Sequence, residues 1–398
     1  MLKKNLAIVL LIFFALSASA QNFKIGHRQM LWVDSSRNNR QVLTELYYPA
    51  DTKGEGVPVA SGTFKFATVV FGHGYQLTYA NYLWLKDSLV PKGYFVAFPR
   101  TEEELFPDHT AFAKDLAFIT QKMNAGNSLS SFFFYKRLNG KFAVSGHSMG
   151  GGCSLLSVQY SNLITTVCPF AAAETNPSAI AACSTITIPA VLFAGKQDCV
   201  TPPSTNQIPM YDALSSSCKT YIEIKGAKHC HWANNSTVCT LGEFTCGGFS
   251  TNAKPTLQTT MSLMLPWLNA VLYNKLSEFN RFNSVLQTST AITYQQLCSA
   301  KNNIDKPVIS EMQKINIIPS PVTAGNNIFI EVPFLKAKNF TVTISNDMGN
   351  VVYTKQFLNN NSDKLQVSTN VFHKGYYFVN IVAGEEKMQG SFMVAVSN

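Results

Sequence analysis

Charge is scarce in this chain: only 14% of its 398 residues are Asp, Glu, Lys or Arg. The net charge is +9, or +7 without Lys3 and Lys4, and no Lys/Arg cluster concentrates it. A basic nucleic-acid patch is therefore excluded. With 46% hydrophobic residues, extended disorder is excluded as well. Cysteine is absent before residue 153 and after residue 298, and no C-x-x-C pair occurs. Cys230-His231 with Cys239 and Cys246 matches no standard zinc spacing, so no metal and no cofactor are expected. A long apolar run is missing too. The stretch from Asn5 to Leu16 is too short and wrongly flanked to cross a bilayer.

That short run instead follows the basic Met1-Leu2-Lys3-Lys4 and precedes Ser17-Ala18-Ser19-Ala20. The pattern predicts a secretory signal peptide over residues 1–20, cleaved after Ala20. Export makes disulfides expected among the nine cysteines, and the odd count leaves at least one thiol free. Cys153 is expected to be that buried thiol. Cys199 follows Asp198 and Cys230 follows His229, so disulfides there would clamp two loops of interest; the pairing cannot be read from the sequence.

Continuous apolar runs at Phe66–Phe71, Tyr94–Pro99, Lys141–Val144, Ile188–Ala194 and Lys219–Ile224 predict strands buried on both faces. Ile25 to Tyr48 reads as edge strands. Helical spacing at Tyr79–Val90, His109–Met123 and Leu257–Leu272 separates or follows these runs, the last being read as the final helix. Alternating strands and helices predict an α/β fold, a mostly parallel sheet with helices on both faces, over residues 21–298. Residues 299–311 are polar and linker-like. From 312 to 398 the pattern changes to period two, with short runs such as Ile328–Val332, Phe340–Ile344 and Tyr376–Ile381, which predicts a small β-sandwich.

The stretch that concentrates chemistry is Gly146-His147-Ser148-Met149-Gly150-Gly151-Gly152, between a strand and a helix. G-x-S-x-G in that setting is a nucleophile elbow: a sharp turn that lifts a serine above the sheet, with glycines where a Cβ would collide. A serine nucleophile needs a base, and the base needs an orienting carboxylate. Asp198 and His229 each follow a predicted buried strand, in the chain order Ser, Asp, His. Strand C-terminal ends line one crevice in such sheets. The expected triad is thus Ser148, Asp198 and His229, with His231 as competitor for the base. The N–H groups of Met149 and Tyr75 are expected to form an oxyanion hole. His73 is expected to bond backbone, and Glu102-Glu103-Glu104 to be a solvated turn.

These motifs, with Cys168-Pro169-Phe170, Ala194–Pro203 and Tyr221–His229, resemble bacterial cutinases and poly(ethylene terephthalate) hydrolases over about Asn22 to Cys298. The resemblance implies an α/β-hydrolase with an open cleft, hydrolysing polyesters or short-to-medium acyl esters. It implies substrate contacts at Tyr75, His147, Phe170 and Val200. Phe170 stands where the family usually has Trp, and the insertion from Asn234 to Asn252 is longer than usual. The tail resembles the sorting domain of the Bacteroidetes type IX secretion system, through Ile318-Pro319-Ser320-Pro321-Val322, Asn346–Val352 and Lys374–Val379. That implies secretion or surface display through the type IX machinery. The enzyme would be a monomer without a transmembrane anchor. Two alternatives stand beside this reading: a lipase, platelet-activating-factor-acetylhydrolase-like or dienelactone-hydrolase-like esterase, and a non-catalytic surface-binding protein carrying a surface- or carbohydrate-binding tail.

Overall fold

A computed structural model describes residues 22–234, 236–244, 252–298, 313–332, 335, 338–346, 351–383 and 386–395. The expected leader, the linker segment, Cys246 and the tail landmark Asp347–Asn350 lie outside the described residues. The chain divides into two compact units, meeting in sequence at Ile304 and Asp305.

The first unit is built on one ten-stranded sheet. Its strands are β1 (Lys24–Asp34), β2 (Arg40–Ala50), β3 (Gly54–Glu55), β4 (Phe66–Gly72), β5 (Tyr94–Pro99), β6 (Leu138–Gly146), β7 (Ile164–Val167), β8 (Ala190–Gly195), β9 (Cys218–Ile224) and β10 (Ile292–Cys298). Their order across the sheet is β10-β9-β8-β7-β6-β4-β5-β2-β1-β3. The run from β9 to β5 is parallel. β10 and β2 join its two sides antiparallel. Every residue of β4, β5 and β8 is buried, as their unbroken apolar sequences require.

Helices α1 (Leu83–Leu89), α2 (His109–Gly126), α3 (Met149–Ser157), α4 (Ala179–Cys183), α5 (Gln207–Ala213), α6 (Thr237–Phe244), α7 (Lys254–Leu272) and α8 (Leu276–Thr288) surround this sheet. Pleating sends Val70, Val144 and Leu192 into one apolar cluster, with Phe112 and Leu116 of α2, Leu155 of α3 and Met210 of α5. It sends Val69, Phe71, Val191 and Phe193 into a second, with Leu85 of α1, Trp267 of α7 and Phe282 of α8. The mostly parallel α/β sheet with helical cover is the fold the sequence predicts.

Two expectations need correction. α7 is not the last element, because α8 and β10 follow it. β10 exposes most of its side chains, so it carries no apolar run to announce it. Its place is fixed by register with β9 and by the Cys218–Cys298 disulfide. The predicted helix Tyr79–Val90 is also broken, into a 3-10 turn at Tyr79–Tyr82 followed by α1.

The second unit contains β11 (Gln313–Lys314), β12 (Asn316–Ile318), β13 (Val322–Thr323), β14 (Asn327–Glu331), β15 (Phe340–Asn346), β16 (Val351–Phe357), β17 (Lys364–Ser368), β18 (Gly375–Ala383) and β19 (Glu386–Ala395). They form a six-stranded and a three-stranded sheet. Ile328, Ile330 and Val367 of the small sheet share one core with Val342, Val379 and Phe392 of the large one. Buried and exposed residues alternate along β14 and β18, as the period-two pattern demands.

Candidate active site

The register sets Gly72 of β4 beside Gly146 of β6, and Gly195 of β8 beside Ile224 of β9. The loops leaving these four strands therefore emerge at one edge of the sheet. Ser148 sits in the loop after β6 at φ 55 and ψ −120, a conformation that an L-residue adopts only under strain. Crowding enforces the turn. A Cβ on Gly146 would meet the Gly150 carbonyl oxygen at 2.2 Å, and one on Gly150 would meet that of Gly72 at 2.2 Å. The Ser148 backbone is held on both sides: its N–H donates to Phe170 O (3.1 Å), and its carbonyl accepts from Gly152 (3.0 Å) and Ala173 (2.9 Å).

Asp198 and His229 meet at the neighbouring strand ends. His229 Nδ1 lies 2.8 Å from Asp198 Oδ2, and both side chains are buried. The other carboxylate oxygen accepts the N–H groups of Val200 (2.9 Å) and Thr201 (2.8 Å). Thr201 Oγ1 lies 2.9 Å from Asp198 Oδ2 and 3.1 Å from His229 Nδ1, so it braces the pair. Thr201 went unremarked in the sequence; its signal was a threonine three residues after the acid, the spacing of a local side-chain turn. The two loops also interlock through backbone, Gln197 N–H donating to Ala227 O (2.9 Å). His231 faces elsewhere: its Nδ1 lies 2.8 Å from Thr256 Oγ1 on α7, and burial holds it below its usual pKa.

What ties the histidine loop to the elbow, among the described residues, is His147 rather than the Ser148 hydroxyl. Its Nε2 lies 3.0 Å from the His229 carbonyl oxygen, and the two rings stand 4.6 Å apart. Its Nδ1 lies 2.9 Å from the Tyr82 hydroxyl, which also accepts the Gly74 N–H at 3.0 Å. One proton arrangement satisfies the chain: Gly74 donates to Tyr82, Tyr82 donates to Nδ1, and Nε2–H donates to the carbonyl. That requires a neutral imidazole, and burial does hold His147 well below the usual histidine range.

The loop after β4 carries Tyr75, which is 43% exposed and whose hydroxyl donates to Leu105 O (3.0 Å). Among the described residues no protein acceptor takes the N–H of Tyr75 or of Met149, the first residue of α3. His73 bonds backbone as expected, to the carbonyls of Gly74 and Thr101 at 2.9 Å each.

Three expectations fail. Phe170 offers no face to a substrate: it is 0% exposed, stacked on Trp232 and packed among Phe71, Trp84 and Phe193. The chain beyond it brings the small Ala173 to the elbow instead. His147 is likewise fully buried and touches protein groups on both ring nitrogens. Glu102 is not solvated; it is buried at φ 63, where it accepts from Arg40 (2.5 Å) and the Asp108 N–H (2.6 Å). Val200 is 41% exposed beside the Asp198 turn.

Disulfides bear on both loops. Cys230, next to His229, pairs with Cys239 of α6, and Cys199, next to Asp198, is disulfide-bonded. Cys153 is a buried free thiol as expected, and so are Cys168 and Cys183. A cavity of about 500 Å³ bordered by Phe23, His27, Tyr47, Glu55 and Lys86 contains none of the residues above.

Residues 316–395 match the secretion system C-terminal sorting domain family. Cutinase 1 of Thermobifida cellulosilytica is 28% identical over 186 residues, 46% of this chain and 64% of that protein. A cutinase of Thermobifida fusca is 28% identical over 46% of this chain and 56% of its own length. Bis(hydroxyethyl) terephthalate hydrolase of Streptomyces coelicolor is 23% identical over 50% of this chain and 58% of its own length. The chain thus spans less than two thirds of the curated relatives it matches. No helix among the described residues is long and apolar enough to cross a membrane. Residues 21–248, more than half of the sequence, match the PET hydrolase-like family, and the chain belongs to it.

Proposed function

We propose that this protein is a secreted serine ester hydrolase that works through an acyl-enzyme and accepts polyesters as well as small esters. One observation carries the reading: a strained serine on a glycine-packed elbow shares the sheet edge with a buried Asp–His pair at 2.8 Å. Ser148 Oγ attacks the ester carbonyl while His229 Nε2 takes its proton. Asp198 accepts from Nδ1–H, which fixes the tautomer and stabilises the imidazolium that forms. The N–H groups of Met149 and Tyr75 receive the oxyanion, a contribution worth about 10²–10³ in rate per donor. Collapse of the tetrahedral intermediate expels the alcohol, which takes the proton from His229. Water, deprotonated by the same imidazole, then releases the acid.

The cutinases and the terephthalate-ester hydrolase among the relatives support polyesters as the substrate class. Of the two aromatic contacts the resemblance implies, Phe170 is buried and Tyr75 stays exposed, so aliphatic polyesters are favoured over aromatic ones. The sorting-family match supports export through the type IX machinery. The test is turnover of p-nitrophenyl esters of graded chain length and of polyester films, by wild type and Ser148→Ala. Activity that survives in Ser148→Ala means another nucleophile. A preference for long acyl chains with no film hydrolysis points to a lipase-like esterase. A wild-type serine that a fluorophosphonate leaves unlabelled points to a surface-binding protein.

A further inference from the structure

The insertion after His229 contributes a side chain that the scheme above does not use. Glu243, on α6, is 1% exposed. Its Oε1 accepts the backbone N–H of Cys230 at 2.6 Å, on the residue that follows His229. Among the described residues its buried Oε2 has no hydrogen-bond partner. A carboxylate in such a place is costly; an unpaired buried charge costs several kcal/mol (roughly) unless it is held for a reason. The structure holds it firmly. The Cys230–Cys239 disulfide staples α6 to the histidine turn, nine residues apart in sequence. The backbone bond from Cys230 then closes a second tie between the same two elements.

We propose, on the basis of the triad reading above, that Glu243 is a positioning residue for His229. Its carboxylate fixes the backbone at Cys230 and sets negative charge behind the imidazole. The charged groups that face it are His229 and Lys228 on the histidine turn and Asp198 on the loop after β8. Burial raises the pKa of Glu243 itself, so it ionises at a higher pH than an exposed glutamate does. Once ionised, it favours the imidazolium that forms as Ser148 loses its proton. Asp198 does this from the Nδ1 side, and Glu243 reinforces it from behind the main chain.

Two substitutions separate charge from scaffold, measured on the full chain. Glu243→Gln keeps an oxygen for the Cys230 N–H but removes the charge. The acidic limb of its kcat/KM profile, and of its fluorophosphonate labelling rate, is expected about half a pH unit or more below that of wild type. Glu243→Ala removes both contributions, and its kcat is expected to fall about tenfold with KM within about twofold, because the imidazole is displaced rather than the substrate site. If Glu243→Gln leaves both pH limbs where wild type has them, the electrostatic role is overturned whether or not Glu243→Ala folds. If Glu243→Ala folds and turns over like wild type, positioning is overturned too. Wild type that labels normally while the variants show no change rejects Glu243 alone. Wild type that fails to label rejects the triad, and this inference with it.

Discussion

The two banks of the crevice are built by opposite means. The elbow bank is made by leaving side chains out: Gly146, Gly150 and Gly72 let backbone touch backbone, and a Cβ on Gly152, in the first turn of α3, would meet the Ala173 carbonyl oxygen at 2.2 Å. The histidine bank is made by adding ties: a disulfide, Thr201 against the Asp–His pair, Glu243 under Cys230, and His147 reaching across from the elbow. Steric exclusion is local and unforgiving. Cross-linking is distributed, and each tie is worth only a part of the whole. A single methyl group should therefore ruin the first bank, whereas the second should degrade in steps.

Gly150→Ala offers the sharpest way to break that contrast. Its Cβ would sit 2.2 Å from the Gly72 carbonyl oxygen, which is backbone and cannot swing away. A destabilisation above about 4 kcal/mol is expected, visible as loss of soluble protein or a collapsed melting transition. A well-folded, active Gly150→Ala would show that the elbow tolerates what the geometry forbids.

On the other bank, Asp198→Asn is expected to lower kcat by about 10³–10⁴ with the melting temperature little changed, since the wrong tautomer of His229 is then favoured. Steady-state kinetics with a thermal melt check both halves. Replacing Cys230 and Cys239 together by serine frees α6, and kcat is expected to fall about tenfold, with stability down by about 2–4 kcal/mol. If that pair of substitutions costs stability alone, the disulfide is a fold clamp and not a clamp on the site.

Smaller still is the relay. Tyr82→Phe keeps the ring but removes the hydroxyl between Gly74 and His147, and a loss of about 1 kcal/mol, or roughly fivefold in kcat/KM, is expected. His147 also sets a pH signature. Its pKa is depressed in the folded chain by burial, so the unfolded chain binds a proton that the folded one refuses. Its contribution to stability is thus present above about pH 6.5 and is lost as pH falls below it. Denaturant melts across that range should show a flatter acid limb in His147→Gln. The smallest expected effect is at the tail. A chain ending near Ala300 should leave kcat/KM on a soluble ester nearly unchanged, because every proposed catalytic group precedes it, and a loss above about tenfold would mean that the tail supports the site. A loss confined to solid polyester would instead make the tail a surface-binding module.

Much of this protein was legible in its residues because the signals were short in range. Unbroken apolar runs such as Phe66–Phe71 announced strands covered on both faces, alternation announced the tail sandwich, and Gly146-x-Ser148-x-Gly150 announced the elbow. Each is a steric or periodic demand that a few neighbouring residues settle among themselves. What the tertiary structure decided was every question of which way a side chain faces. Phe170 carries the same apolar ring whether it lines a cleft or a core, and only the approach of Trp232 and Trp84 decides for the core. Glu102 in a run of three acids looks solvated until Arg40, 62 residues away, comes to meet it. His229 and His231 are two residues apart and alike in the sequence. Asp198 on one loop and Thr256 on a helix separate them, because hydrogen bonds between distant segments exist only once the sheet has brought its strand ends together.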